Sequence, residues 1–201
     1  MALLAVVLLL AIGCVPHLEI SPAAQPAVST SAKFPASVAV VCSERMKSLV
    51  ERFSLPLDGR SDGRVDTAYY FEVGEPLCKS LVRSVEAAYA RAVEVPVSPQ
   101  AGAYDRVLDF SLQNSGLILP PGVSSVNAGS IRYTLFVSMA AYDGRTMALV
   151  KRAIVEGVGY PTGKRVWSWL REPVASAVEA GLQDLSTNTT KTLSAGFAEP
   201  R

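Results

Sequence analysis

The sequence holds a single histidine, His17, and only three cysteines, Cys14, Cys42 and Cys78. So few soft ligands cannot build a four-ligand zinc cage without carboxylates, and their spacing matches no zinc pattern. Histidine is also the usual base beside a serine or cysteine nucleophile. His17 lies in a Pro- and Ala-rich stretch near the N-terminus, so a Ser-His or Cys-His pair within the folded domain is not expected. An excess of one charge is missing too: 19 Lys and Arg stand against 18 Asp and Glu. A near-neutral chain lacks the basic stripe that neutralises phosphates, which excludes nucleic acid as an expected partner. The chain contains no GxSxG elbow, no Walker-A loop and no GxGxxG, so neither a nucleotide nor another cofactor is expected. Gly157-Val158-Gly159 is too short for a phosphate loop and reads as a strand end. Charged residues make up 18% and hydrophobic ones 49%, too apolar for a disordered chain.

What is present begins at the N-terminus. Ala2 to Val15 is an apolar run of 14 residues, too short to span a bilayer as a helix, which takes about 20. Its length suits the apolar region of a secretory signal peptide. Ala11-Ile12-Gly13, with small residues at 11 and 13, stands directly before Cys14 near the end of the run. This segment resembles the lipobox of bacterial lipoproteins, with Ala11 where the family usually has Leu. The resemblance implies that residues 1–13 are a signal peptide cut before Cys14, whose thiol takes a diacylglycerol and whose new amino group is acylated. The acyl chains would then hold the protein to a membrane without a spanning helix. Val15 in place of Asp implies the outer membrane, with the domain facing the periplasm. Residues 14–34, rich in Pro, Ala and Ser, read as a flexible tether.

Residues 35–201 read as one domain of strands and helices. Ser37 to Cys42 is a buried strand. Residues 43–65 are ambiguous between helix and strand, with turns at Asp58-Gly59 and Asp62-Gly63. Thr67 to Val73 is strand-like. Pro76 and Glu75 suit the first turn of a helix, and Leu77, Leu81, Val85, Ala88 and Ala92 form its apolar stripe. A short strand at Val93–Val97 follows. Leu108, Phe110 and Leu112 alternate with Asp105, Asp109 and Ser111 along a strand over 104–112. Residues 122–130 read as a mobile loop. Ile131, Tyr133, Leu135, Val137 and Met139 mark a long strand, Asp143-Gly144 a tight hairpin with φ > 0, and 145–158 the returning strand. Pro173 opens a last helix through Leu185, and the tail beyond Asn188 is expected to fray. The expected fold class is α+β: a two-layer sandwich with a mostly antiparallel sheet of five or six strands and two helices on one face.

Few side chains carry candidate chemistry. Asp105 and Asp109, four apart, share a strand face and pose the choice between an acid–base pair and a solvated edge. Trp167 and Trp169 offer either a ligand clamp or packing. Asn188-Thr189-Thr190 has the form of a glycosylation sequon. Cys42 and Cys78 are an even pair at a strand end and a helix start, and an exported chain meets an oxidising compartment. A disulfide and two buried thiols both remain open. Phe136 and Tyr142 lie on the side of their strand opposite Tyr133 and Leu135, where exposed aromatics would form an interaction surface.

Gly74-Glu75-Pro76-Leu77, Asp143-Gly144 and the helix Val174 to Leu185 loosely resemble those of Gram-negative envelope lipoproteins. That group includes the YajG-type lipoproteins, the auxiliary lipoproteins of ABC transport and the lipopolysaccharide-assembly lipoprotein. The resemblance implies a non-enzymatic accessory or scaffold subunit with protein partners in an envelope transport or assembly complex. The alternative is a carrier that holds a lipid or glycan between sheet and helices, and an apolar cavity would distinguish it.

Overall fold

The computed structural model describes residues 17, 18, 20, 32–55, 67–118, 131–162 and 171–197. The elements are β1 (His17–Leu18), β2 (Phe34–Val41), α1 (Glu44–Lys47), β3 (Val50–Leu55), β4 (Thr67–Glu72), α2 (Gly74–Ala88), β5 (Tyr89–Val95), β6 (Arg106–Ile118), β7 (Arg132–Asp143), β8 (Leu149–Gly159) and α3 (Arg171–Ser194). Cys14 and residues 1–13 expected as a signal peptide, the turns expected at 58–63, the loop expected at 122–130, Trp167 and Trp169 lie outside the described residues.

Five strands form the main sheet in the order β5-β2-β6-β7-β8. The fold is α+β as expected, and the sheet is mixed, not purely antiparallel. β2 runs parallel to both neighbours, and only β6, β7 and β8 form an antiparallel meander. The cause is connectivity. The chain leaves β2 and reaches β5 only after β3, β4 and α2, long enough for a parallel return. It then crosses β2 from β5 to β6 through residues 96–105. Ten extended residues reach about 33 Å, enough to run back along a strand of seven.

Both long helices pack on one face of this sheet and against each other. Leu77, Leu81 and Val85 of α2 and Val174, Val178, Leu182 and Leu185 of α3 meet the inward side chains of β2, β6 and β7 in one core. α2 ends at Ala88, earlier than its stripe suggests, because Tyr89 begins β5 and turns into the core. α3 instead runs on to Ser194, where fraying was expected. Its polar residues there are buried against α2. The Ser84 and Ser186 hydroxyls lie 2.7 Å apart, and Thr190 Oγ1 donates to the Ser186 carbonyl at 2.9 Å. Short hydroxyl side chains let two helices approach closely while bonding each other's backbone, so a polar sequence here is interior.

The ambiguous segment after Cys42 resolves into the one-turn α1, capped by Ser43 accepting from the Met46 N–H, and then β3. β3 pairs antiparallel with β4, and β1 pairs parallel with β4 on its other side, giving a second, three-stranded sheet. Residues 14–34, expected as a free tether, are thus in part built into the fold: His17 and Leu18 register with Tyr70 and Phe71, and Ile20 is buried. The small sheet joins the large one through Phe71, edge-on to Tyr133 at 6.3 Å. The Tyr133 hydroxyl donates to Glu51 Oε1 at 2.7 Å. Burial, then the Glu51 charge beside it, pushes the Tyr133 phenol far above its ordinary range, so this donor keeps its proton.

Candidate functional site

The face of the main sheet opposite the helices is the one that the two long helices leave uncovered. Its composition follows from register. Asp109 of β6 pairs with Ala140 of β7, which pairs with Arg152 of β8; the next row is Ser111, Ser138 and Ile154, and the one beyond sets Asn114, Phe136 and Glu156 side by side. Ile154 is 66% exposed. Asp109 is half-buried, and this burial raises its carboxyl above the ordinary value despite the opposing pull of Arg152.

Phe136 and Tyr142 both lie half-buried on this outer face, but in different settings. Tyr142 packs with Val95, Tyr104 and Met147 over the buried Ala39, Val41 and Val107, a small second core at one end of the sheet. Met147 reaches that position through a backbone φ of 57°. The expected φ > 0 at Gly144 is not found, since Met147, Gly102 and Gly196 carry the positive values among the described residues. Gly144 is required for a different reason: a Cβ there would strike the Tyr104 carbonyl. The connection is a five-residue turn organised by Asp143, whose Oδ1 accepts from the Arg145 and Thr146 N–H groups and the Thr146 hydroxyl, each at 3.0 Å.

Beside that turn lies an open polar hollow of about 360 Å³, lined by Ala36, Asp105, Arg106, Asp143 and Arg145. Its carboxylates already have partners. Asp105 Oδ2 accepts from the Ser37 N–H and hydroxyl, both at 2.8 Å, and Arg106 lies 3.5 Å from Asp143. The bonds from Ser37, backbone first, lower the Asp105 carboxyl, and those from Thr146 lower that of Asp143. The hollow therefore ties together the ends of β2, β6 and β7. Asp105 and Asp109 do share a face, yet four extended residues separate them by about 13 Å, beyond the reach of a cooperating carboxylate pair.

Lowered carboxyls in the folded state have a consequence in acid. Unfolded, both groups would titrate near 4. Their contribution to stability is whole above that value and is lost as pH falls through the lower folded values. Thermal melts between about pH 6 and pH 2 should show a steeper loss for the native chain than for Asp105→Asn/Asp143→Asn. Equal slopes would show that these bonds do not couple to folding.

Cys42 and Cys78 are brought together as a disulfide, with Cα atoms 6.0 Å apart and both residues fully buried. This separation lies in the range that a bridge requires. The sequon residues are structural: the Asn188 side-chain amide donates to the Glu156 carbonyl at 3.0 Å and to Asp184 at 3.2 Å, and Thr189 and Thr190 are buried. Sequence reasoning missed Asp109 with Arg152 as one row, and Tyr104 with Met147 as cover for the second core. The first depends on register and the second on a turn conformation, and neither leaves a mark in composition or periodicity.

No family model matches the chain, and no curated protein matches it in sequence. Its fold is nonetheless shared. A Xanthomonas campestris protein of family DUF330 superposes with a TM-score of 0.51 at 13% identity, over 90% of this chain and 94% of that one. A hypothetical protein from Chlamydia trachomatis gives 0.46 at 9% identity, over 84% and 99%. A candidate lipoprotein from Caulobacter crescentus gives 0.33 at 13% identity, over 61% and 77%. At such identities the first likeness establishes the fold alone. Among the described residues, no helix is long and apolar enough to cross a membrane.

Proposed function

We propose that this chain is a bacterial lipoprotein held to the outer membrane by lipid on Cys14. Its α+β domain faces the periplasm and serves as a non-enzymatic accessory or scaffold subunit of an envelope transport or assembly complex. The observation that carries the reading is the apolar run ending in Ala11-Ile12-Gly13-Cys14. The buried Cys42–Cys78 bridge supports it, because such bonds persist in oxidising compartments and are rare in the cytosol. The scaffold role is favoured over a carrier by the seam between β8 and α3. There a Cβ on Gly157 would stand 2.5 Å from the Gly181 carbonyl, so strand and helix backbones are in contact and leave no room for a lipid chain between them.

The anchor is tested by Cys14→Ser. The native chain should enter the detergent phase as a processed, acylated protein, and the variant should accumulate as an uncleaved, non-acylated precursor. Normal acylation and processing of the variant would overturn the reading. The accessory role predicts that the detergent-extracted native chain co-purifies with integral components of an envelope machine.

A further inference from the structure

The Asp109–Ala140–Arg152 row is self-complementary. It sets an acid on one side of β7, a base on the other, and a short side chain between them. Strands lie about 4.8 Å apart, so the charged positions flank β7 at equal distances. Consider two such sheets face to face, related by a two-fold axis along β7 in the plane between them. The rotation preserves strand direction and row but exchanges left for right. Asp109 then faces Arg152 of the partner subunit, Arg152 faces the partner's Asp109, and Ala140 meets its own counterpart on the axis. The next row obeys the same rule: small Ser111 faces the partner's protruding Ile154, and Ser138 meets Ser138. Aligned sheets pack about 10 Å apart, a gap that an arginine and an aspartate side chain bridge together.

We infer that the outer face of β6–β8 binds a second copy of this chain, through two reciprocal Asp109–Arg152 pairs about an axis at Ala140. Such an isologous contact needs one patch that complements itself, which a foreign partner would not require. The half-buried Asp109, with no bonded donor on its own chain among the bonds described, gains one in the pair. Three strands overlapping along ten residues cover roughly 450 Å² per copy, which places the dimer among weak complexes. The inference does not depend on the anchor, although confinement to one membrane would raise the effective concentration of the copies.

The experiment is sedimentation equilibrium of the full chain in density-matched detergent, with Tm measured for every variant. The native chain should dimerise with a Kd of roughly 1–100 μM. Asp109→Arg and Arg152→Asp should each weaken the dimer about tenfold or more, since each sets like charges face to face. The two together should return the Kd to within about threefold of native, because the pair is restored with reversed sign. Ile154→Lys, at an exposed position that the fold tolerates, should weaken the dimer about tenfold. A native chain that stays monomeric at about 1 mM overturns the inference. So does a dimer that both single reversals leave intact, or a folded double variant that fails to recover.

Discussion

Gly159→Ala should lower the melting temperature by about 10 °C, from a change of one methyl group. A Cβ at this last residue of β8 would collide with the Ala177 carbonyl and the Gly181 N–H of α3. Both neighbours are backbone, so no rotamer can relieve the contact, and the whole helix must withdraw from the sheet. Overpacking costs about 1–3 kcal/mol where side chains can yield; with backbone on both sides the expected cost is about 3 kcal/mol or more. For a chain of this size each kcal/mol is worth about 2–4 °C. Gly157→Ala should behave alike, since its Cβ would stand 2.6 Å from that of Leu185. Gly116→Ala is the control: the nearest atom, Thr134 Oγ1, lies at 3.8 Å, so its Tm should stay near native. If Gly159→Ala melts with Gly116→Ala, the close approach of β8 and α3 is refuted.

Removing the Cys42–Cys78 bridge is expected to have an effect of similar size through the unfolded state. The two residues lie 36 apart in sequence. Freeing a loop of that length returns conformational entropy worth about 4 kcal/mol on the chain-entropy model. Cys42→Ala/Cys78→Ala should therefore shift the urea midpoint down without a loss of native secondary structure. Both cysteines are fully buried, so reductant should act on the native protein only as fast as the domain opens. Free thiols at both Cys42 and Cys78 in the unfolded, unreduced protein would rule the bridge out.

The elements legible beforehand were those in which one periodicity dominates. β7 alternates Tyr133, Leu135, Val137 and Met139 inward, and all four are buried. α2 carries its apolar stripe at Leu77, Leu81 and Val85, also buried. Those patterns are consequences of one face meeting a core, and they survive any choice of partner strand. The second half of α3 was illegible because Ser186, Thr189 and Thr190 look like surface residues yet are buried; Ser186 and Thr190 meet Ser80 and Ser84 of α2 there. The Asp143 turn was located correctly but not its conformation, since Asp143 bonding and the position of Met147, rather than Gly144, set its shape.

The outer-face row was beyond reach for a related reason. Asp109, Ala140 and Arg152 align only after a register shift near Leu112 and another at Ala141. Moving a strand by one residue turns each side chain to the opposite face, so charge pairing across three strands cannot be counted along the chain. The amino-acid sequence by itself determined the apolar run that precedes Cys14, the confinement of its one histidine to position 17, and which side chains of β6 and β7 go inward, because these are local properties of composition and spacing. Tertiary structure alone decided that β2 runs parallel to both neighbours, that His17–Leu18 joins a sheet, that α3 rests on glycines, and that an acid and a base flank Ala140. Each of these depends on which segments lie side by side, and that is settled by loop length, turn shape and core packing acting together.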